Sequence, residues 1–455
     1  MDVLLISPPR EVPQRPDFPP IGLAYLCSML KKAGLSAKVL DASAFSWSRL
    51  AANIREISPF IIGITCFTVE RHQSLRCARL VREILPDAKI VFGGHHATAF
   101  PEHLFVQAYA DVVVLGEGEC TIVDVSRVFL DGGNLSQVNG IVYREGNNII
   151  KTAPRELIDD LDSIPYPSYS DFKLDNYIGL PETGGRATCL MSSRGCPYRC
   201  AFCSGARFWK HTWRARSADN VLGEVQWLYD TYNVRNFVFY DDNFTVRNDR
   251  VIEICKGILD RGLEIKWTAS SHVTHIREEM LFWMKKAGCF RIDFGVESGS
   301  ARILKSVKKG QTPEHIRNAF RLVHNSGIKP KAYLMVGNPG EDEQTIDETI
   351  RLMYEIKPYF CDTGGILWVL PDTEIYEIAK QQGVINDEFW LHNEGVIYYN
   401  GERTVKKLKV LRNRLMKGMA RNRGTVKAMA EYYARIAFYR YSFLQKFRKL
   451  KVFFK

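Results

Sequence analysis

The sequence predicts an α/β protein in three parts: an N-terminal Rossmann-like, doubly wound domain, a partial (β/α)6 barrel, and a basic helical C-terminal extension. Three observations predict it. Two separate tracts alternate short Val-, Ile- and Leu-rich runs with amphipathic stretches, the pattern of buried parallel strands joined by helices. Between the tracts lies a proline-rich, acidic run without periodicity, which marks a linker. Beyond about residue 386 the alternation stops and Lys and Arg dominate. At 455 residues the chain is too long for one ordinary domain.

In the first tract, residues 3–7, 38–41, 60–66, 89–93 and 111–116 read as strands, and 22–33, 48–57, 70–85, 101–108 and 119–130 as helices. This gives a first domain over 1–135. In such a sheet the ligand crevice lies outside the carboxyl ends of the strands. Unusual residues gather there: Ser7-Pro8-Pro9, Asp41-Ala42-Ser43, Thr65-Cys66-Phe67-Thr68, Gly93-Gly94-His95-His96 and Gly116-Glu117-Gly118-Glu119. Glycine at such turns lets backbone approach a ligand closely; tight strand-to-helix turns would use it as well. Residues 136–185 then read as a hairpin (138–143 and 148–151) and a linker containing Pro165-Tyr166-Pro167. Leu157, Ile158, Leu161 and Ile164 predict that this linker packs on one domain.

The second domain, 186–390, has strands at 188–191, 236–240, 264–269, 291–295, 331–336 and 363–369. Helices are expected at 217–232, 248–261, 278–287, 313–326 and 342–356. In barrels of this kind reactive groups sit at the carboxyl ends of the strands. The motifs Tyr240-Asp241-Asp242-Asn243, Gly295-Val296-Glu297-Ser298-Gly299, Val336-Gly337-Asn338-Pro339-Gly340 and Leu370-Pro371-Asp372 fall there.

After the first of these strands comes Cys196-Pro197-Tyr198-Arg199-Cys200-Ala201-Phe202-Cys203, with three and then two residues between the cysteines. Thiolates select zinc, copper(I) or iron–sulfur clusters. A structural zinc site wants four ligands, usually as two paired knuckles. Here His211 stands alone downstream, with no second cysteine pair beside it. A cluster held by three cysteines leaves one iron open to a further ligand. The other eight cysteines are scattered, several in apolar runs, and predict buried free thiols in a reducing cytoplasmic setting rather than a disulfide framework. The N-terminus lacks the basic and long apolar regions of a signal peptide. No stretch of about eighteen apolar residues predicts a membrane span.

Net charge is +11, but residues 401–455 hold 17 Lys and Arg against Glu402 and Glu431, a net +15 that leaves the first 400 residues at −4. The extension, 391–455, reads as two basic helices at 405–421 and 425–447 with many aromatics. Three readings fit it: an anionic membrane surface engaged through 405–455, a nucleic-acid backbone, or a helical cap on the barrel with solvated charges.

The cysteine spacing resembles the radical S-adenosylmethionine (SAM) signature, with Phe202 at its aromatic position. The N-terminal set, including Pro19-Pro20-Ile21-Gly22-Leu23, the Gly93–His96 turn and Leu115-Gly116-Glu117-Gly118-Glu119, resembles the cobalamin-binding domain fused to many radical SAM enzymes. The resemblance covers about residues 1–385. It implies a 4Fe-4S cluster on Cys196, Cys200 and Cys203, with SAM chelating the open iron. For SAM it points to Glu297 and Ser298 at the ribose diol, Asp242 or Asp241 at the amine, and Gly337 and Phe202 at the adenine. Arg214 or Arg216 is a candidate for its carboxylate. For cobalamin it points to Pro9, Gly22, Thr65, Gly94, His95, Gly116 and Glu117, with the corrin facing the SAM site. One departure stands out: where many cobalamin proteins have D-x-H-x-x-G, this chain has Asp41, Ser43 and Ser46, so no histidine from this motif meets cobalt.

By the same resemblance, one electron from an external reductant such as flavodoxin or ferredoxin cleaves SAM, and the resulting radical abstracts hydrogen from an unactivated carbon. C-methylation of a small molecule or lipid is the first expectation. Radical oxidation, cyclisation or rearrangement is the alternative, as in the anaerobic porphyrin-ring cyclase. A methylthiotransferase acting on RNA fits less well, because its own N-terminal cysteine triad and small β domain are missing, and a nucleic-acid partner is not expected. A sensor or carrier without chemistry has no need of an open-iron cluster.

Overall fold

A computed structural model of the chain describes residues 1–12, 14–106, 109–392, 397–399, 405–420 and 430. They form two compact units, one built on Met1–Ile178 and the other on Gly179–Trp390 with part of the C-terminal extension. The expected helix over 425–447 lies outside the described residues, apart from position 430.

The first unit is a sheet of seven strands. β1 (Val3–Ser7), β2 (Ala37–Asp41), β3 (Ile61–Thr65), β4 (Lys89–Gly93) and β5 (Val112–Val114) are parallel, in the spatial order β2-β1-β3-β4-β5. The helices between and after them are α1 (Ile21–Lys32), α2 (Trp47–Ile57), α3 (Arg71–Ile84), α4 (His95–Ala99) and α5 (Glu119–Asp131). Strands buried on both sides explain the unbroken apolar runs: Val3, Leu4, Ile6, Ile61, Ile62, Ile90 and Phe92 are fully buried. Strand order reverses between β1 and β3, which makes their carboxyl ends the switch point where open α/β sheets bind ligands. Where a helix was expected over 101–108, the structure has the short α4 and a 3-10 turn at Pro101–Leu104.

The hairpin does not belong to a linker. β6 (Ile141–Glu145) pairs antiparallel with β5, and β7 (Asn148–Lys151) pairs with β6, so the sheet gains two strands. Residues beyond it stay on this unit: Leu161, Tyr169, Phe172, Leu174 and Tyr177 are buried, and the Arg15 guanidinium donates to the carbonyls of Asn176 (2.8 Å) and Tyr177 (2.7 Å). The first unit therefore runs past 135, to Ile178.

The second unit is a parallel six-stranded sheet, open at both edges. Its strands, in spatial order, are β8 (Ala187–Leu190), β11 (Asn236–Phe239), β12 (Lys266–Ser271), β13 (Cys289–Glu297), β14 (Lys329–Val336) and β15 (Phe360–Ile366). Each has its sequence neighbour as its spatial neighbour, as a partial (β/α)6 barrel requires. Between β8 and β11 a short antiparallel pair, β9 (Ser193–Gly195) and β10 (Trp213–Ala215), brackets α6 (Ser204–Phe208). Around the sheet run α7 (Ala218–Tyr232), α8 (Asn248–Asp260), α9 (Glu278–Lys286), α10 (Ala301–Ser306), α11 (Pro313–Asn325) and α12 (Glu343–Ile356). Then follow β16 (Trp368–Val369), α13 (Glu374–Gln381), α14 (Phe389–His392), β17 (Ile397–Tyr398) and α15 (Val405–Ala420).

α15 lies on the barrel as a cap. Leu408, Leu411, Leu415 and Met419 repeat at helical spacing and are at most 3% exposed, facing α12 and β15. Gly418 lets the helices touch, since a Cβ there would meet Ile350 Cδ1 at 2.5 Å. Arg414 forms a bidentate pair with Asp347 at 2.7 and 2.8 Å. The apolar stripe of this helix is thus already covered by the protein. Leu415→Ala should lower unfolding stability by about 2–5 kcal/mol. Arg414→Ala, at a solvent-exposed pair, should cost at most about 1 kcal/mol. Denaturant titration of the two variants checks this; equal effects would mean that α15 is not packed as described.

Candidate active site

The cysteine loop leaves β9 and is closed at its base by pairing of Gly195 with Trp213. Gly195 has φ +81°, and a Cβ there would lie 2.1 Å from the Thr212 carbonyl oxygen, so only glycine makes this turn. The buried Asp241 carboxylate, at the end of β11, accepts from the Ser192 amide (2.7 Å) and from the Ser192 and Ser193 hydroxyls (2.6 Å each). Asp241 is therefore a clamp on the strand that launches the loop and is engaged by the fold, which leaves Asp242 as the candidate for a ligand.

Further out, the loop is braced on other strand ends. Tyr198 stacks on His272 at 3.9 Å, and its hydroxyl is 2.7 Å from Thr274 Oγ1 and 3.1 Å from His275 Nε2. The Ala201 amide donates to Val307 O, and its carbonyl accepts from Ile375 N, both at 3.0 Å. Buried Asn243 directs Nδ2 at Cys196 Sγ (4.0 Å). Burial raises the Cys196 thiol pKa, opposed by the Tyr198 amide and Asn243. Burial raises that of Cys203 as well, opposed by the Ala206 and Gly205 amides. Cys200 is pushed up to about 11 by burial, with Lys309 pulling the other way.

Among the described residues, no group of three His, Cys, Asp or Glu converges on a single ion. A cluster whose irons each take one thiolate asks for a different arrangement: sulfurs spread along one loop with N–H donors directed at them. The donor set fits that requirement.

Asp242 stands beside this loop. A Cβ on Gly205 would lie 3.6 Å from Cys203 Sγ and 3.8 Å from Asp242 Oδ1. Its carboxylate is open at the rim, yet crowding by protein and the adjacent Asp241 raise its pKa against hydrogen bonds from the Gly195 amide and Trp209. Glu297 reaches the same region by a distortion of β13. The register to β14 shifts between Gly295 and Glu297, and Glu297 takes φ +61°, a left-handed conformation that a non-glycine residue rarely holds. Its carboxylate pairs with Lys309 Nζ at 2.8 Å, both side chains 12% exposed. Lys309 Nζ also lies 5.6 Å from the centre of the half-buried Phe202 ring.

The remaining SAM candidates have other duties. Ser298 is fully buried, its hydroxyl 3.2 Å from Thr349 Oγ1 and accepting from the Ser300 amide, so it is turned into the packing. The Gly337 amide donates to the Glu341 carboxylate, and a Cβ there would meet Ile366 Cγ2 at 3.0 Å; the glycine serves the turn. Arg216 is buried, paired with Glu224 and bonded to the Met191 carbonyl (3.0 Å), which removes it as a carboxylate ligand. Arg214 lies with its guanidinium 5.7 Å from the Trp209 ring.

In the first unit, the cobalamin candidates share the carboxyl edge of the sheet, apart from Gly22, which opens α1. Pro9 is buried after β1, and Thr65 ends β3, its carbonyl accepting from Ser74 Oγ at 2.8 Å. Gly94 has φ +109° and no room for a Cβ, which would meet Cys66 O at 2.9 Å. His95 stacks on Phe67 at 5.6 Å, and burial lowers its pKa. The Gly116 amide donates to Thr98 Oγ1 (3.0 Å), whereas buried Glu117 accepts from Ile158 N (2.8 Å) and so anchors the segment after the hairpin. Open space lies beyond the Cα of both Gly22 and Gly116, as a large flat ligand needs. Ser43, in the histidine position of D-x-H-x-x-G, bonds Asp41 through both its amide and its hydroxyl, and Asp41 Oδ2 accepts from Tyr177 OH at 2.9 Å.

Asn243, Tyr198, His272 and Lys309 escaped sequence reasoning. Asn243 and Tyr198 lie inside motifs already singled out, so adjacency was their signal. His272 and Lys309 had none, since Lys308-Lys309-Gly310 reads as a solvated basic turn.

The fold and the site define a two-unit radical enzyme with a cobalamin-type first unit. Residues 190–353 match the Radical SAM superfamily and residues 14–126 the B12 binding domain. The chain is 32% identical over 397 residues to an uncharacterized methyltransferase of Pyrococcus horikoshii, covering 86% of this chain and 85% of the relative. It is 31% identical over 382 residues to an anaerobic magnesium-protoporphyrin IX monomethyl ester cyclase of Cereibacter sphaeroides, covering 81% and 62%. The fold is similar to that of the radical SAM methyltransferase TsrM from Kitasatospora setae, solved with tryptophan substrate and a SAM analogue (TM-score 0.71, 19% identity, 84% of this chain and 77% of that one). The chain belongs to the cobalamin-binding-domain (class B) radical SAM enzymes. Its cofactors are a 4Fe-4S cluster, SAM and cobalamin.

Asp241→Ala should cost about 3 kcal/mol or more of stability, because three buried donors lose their acceptor. Asp242→Asn should keep stability within about 1 kcal/mol and weaken SAM binding. Thermal unfolding and anaerobic SAM titration separate the two; a destabilised D242N with unchanged SAM affinity would reverse these assignments.

Proposed function

We propose that the chain is a cobalamin-dependent C-methyltransferase acting at an unactivated carbon. The observation that carries this is the conjunction, in one chain, of the three-thiol loop with Asp242 and Glu297 around it and a cobalamin-type unit before it. The similarity to a methyltransferase across most of both chains supports the methyl-transfer reading. When bound, the cluster and SAM supply a carbon radical and cobalamin a transferable methyl group. The chain's own residues would hold and orient these groups: Cys196, Cys200 and Cys203 would carry the cluster, Asp242 would meet the SAM amine, and Glu297 the ribose diol. Similarity to the cyclase favours one alternative, cobalamin-dependent radical oxidation or cyclisation without methyl transfer.

Anaerobic reconstitution with iron, sulfide and hydroxocobalamin, followed by desalting and an absorption spectrum, should show cluster and corrin bands together. Turnover with methyl-deuterated SAM should then yield 5′-deoxyadenosine and label in product. Corrin retained and 5′-deoxyadenosine formed without transferred label would favour the alternative. Cluster without corrin would overturn the cobalamin-dependent reading.

A second reading concerns the extension. With α15 engaged as a cap, the membrane argument rests on residues 421–455, which hold ten Lys and Arg, one acid and many aromatics. No described helix is long and apolar enough to cross a membrane. An anionic lipid surface, and with it a lipid substrate, remains the partner this composition fits. Flotation with anionic liposomes should recover the full chain and lose the 421–455 deletion; failure of both, independent of salt, would remove the membrane partner.

A further inference from the structure

Lys309 is a built feature with no assigned role. It is nearly buried, and its carbonyl is held 2.9 Å from His272 Nε2, the ring on which Tyr198 of the cysteine loop stacks. Gly295 leaves room for this arrangement: a Cβ there would lie 2.5 Å from Lys309 Nζ and 2.6 Å from Glu297 Oε1, so a side chain would displace one or both. Gly295, the shifted register of β13 and the left-handed Glu297 together make one slot for this pair. The ammonium has Glu297 at 2.8 Å and the ring of Phe202, which lies between Cys200 and Cys203 in the chain, at 5.6 Å.

We infer that Lys309 is a positioning residue that sets the reduction potential of the cluster on Cys196, Cys200 and Cys203. The Lys309 ammonium stands beside the cysteine loop, 5.6 Å from the centre of the Phe202 ring, with Glu297 as its ion-pair partner at 2.8 Å. A cluster on three thiolates gains one negative charge when an external donor delivers an electron, so a fixed cation beside it favours the reduced form and the carboxylate behind it opposes that effect. Burial works against a charged Lys309, and the Glu297 carboxylate at 2.8 Å offsets it. This inference rests on the cluster and is independent of the reaction that follows.

The test is an electron paramagnetic resonance redox titration of the reconstituted full chain without SAM, in Lys309→Met, Lys309→Arg, Glu297→Gln and the double variant K309M/E297Q. At fixed potential, K309M should lower the ratio of reduced to oxidised cluster about tenfold, a midpoint shift of about 59 mV for a one-electron couple. E297Q should raise that ratio, and K309R should stay near the wild type. The double variant, which leaves no unpaired buried ion, should fall between the two single variants and stands in for K309M should that chain not fold. Midpoints that are unchanged, or shifted in the same direction by K309M and E297Q, in chains with full iron content would overturn the proposal. A purely structural role predicts loss of cluster without opposite shifts.

Discussion

The cysteine loop depends on a single buried carboxylate. Asp241 gathers one amide and two hydroxyls from Ser192 and Ser193, and so ties the end of β11 to the strand that launches the loop. The near side of the site is set out from that clamp: Gly195 turns immediately after it, Asp242 is the next residue on the other side, and Asn243 follows towards Cys196. Behind it, Arg250 donates to the carbonyls of Ser192 and Arg216, while Arg216 pairs with the fully buried Glu224. Buried charges of this kind cost least when paired and hydrogen-bonded, and here Arg216 meets Glu224 while Arg250 reaches two backbone carbonyls of the segment that leads into and out of the loop.

The two halves of the site are built differently. On the β11 side, rigidity comes from hydrogen bonds to backbone. On the β13 side it comes from a register shift and a residue in an unfavourable backbone region, which persists because the surrounding packing over-determines it. Ser298 and Thr349 anchor the far side of that distortion, so Ser298 matters to the site by fixing where Glu297 begins. Both designs place an acid at a strand end beside the cysteine loop.

In the first unit the strand-end residues divide in the same way. Glu117 and Ser43 complete internal hydrogen bonds, and Gly94 permits a close backbone approach within the unit itself. Gly116 and His95 lie at the carboxyl edge, bonded to Thr98 and stacked on Phe67, and Gly22 opens α1. In place of a histidine, Ser43 bonds Asp41 through its amide and hydroxyl, and Tyr177 supplies the aspartate's other partner.

Much of this was legible in the residues. Apolar runs four to seven residues long located the strands of both sheets to within a few positions, because burial on both faces leaves no other pattern. The cysteine spacing named the cluster, and composition separated the basic extension from the rest. Local pattern could not show that the hairpin pairs with β5, since antiparallel edge pairing depends on which edge is free. Nor could it show which acids are open: Asp241 and Asp242 are identical in type and adjacent in the loop after β11, and only the hydrogen bonds from Ser192 and Ser193 hold one inside while the other stays at the rim. By itself the sequence determined the fold class, because periodicity is a local property of the chain, and its cysteine spacing and strand-end motifs carried the resemblance that implied the cofactor set and the three thiolates. Tertiary structure alone decided that Asp241 is tied to Ser192 and Ser193, that Arg216 pairs with Glu224, that Ser298 is packed against Thr349, that Glu117 accepts from Ile158, that α15 is a cap, and that Lys309 stands beside the cysteine loop. Those outcomes depend on contacts between residues far apart in the chain, and such contacts exist only once the strands are aligned.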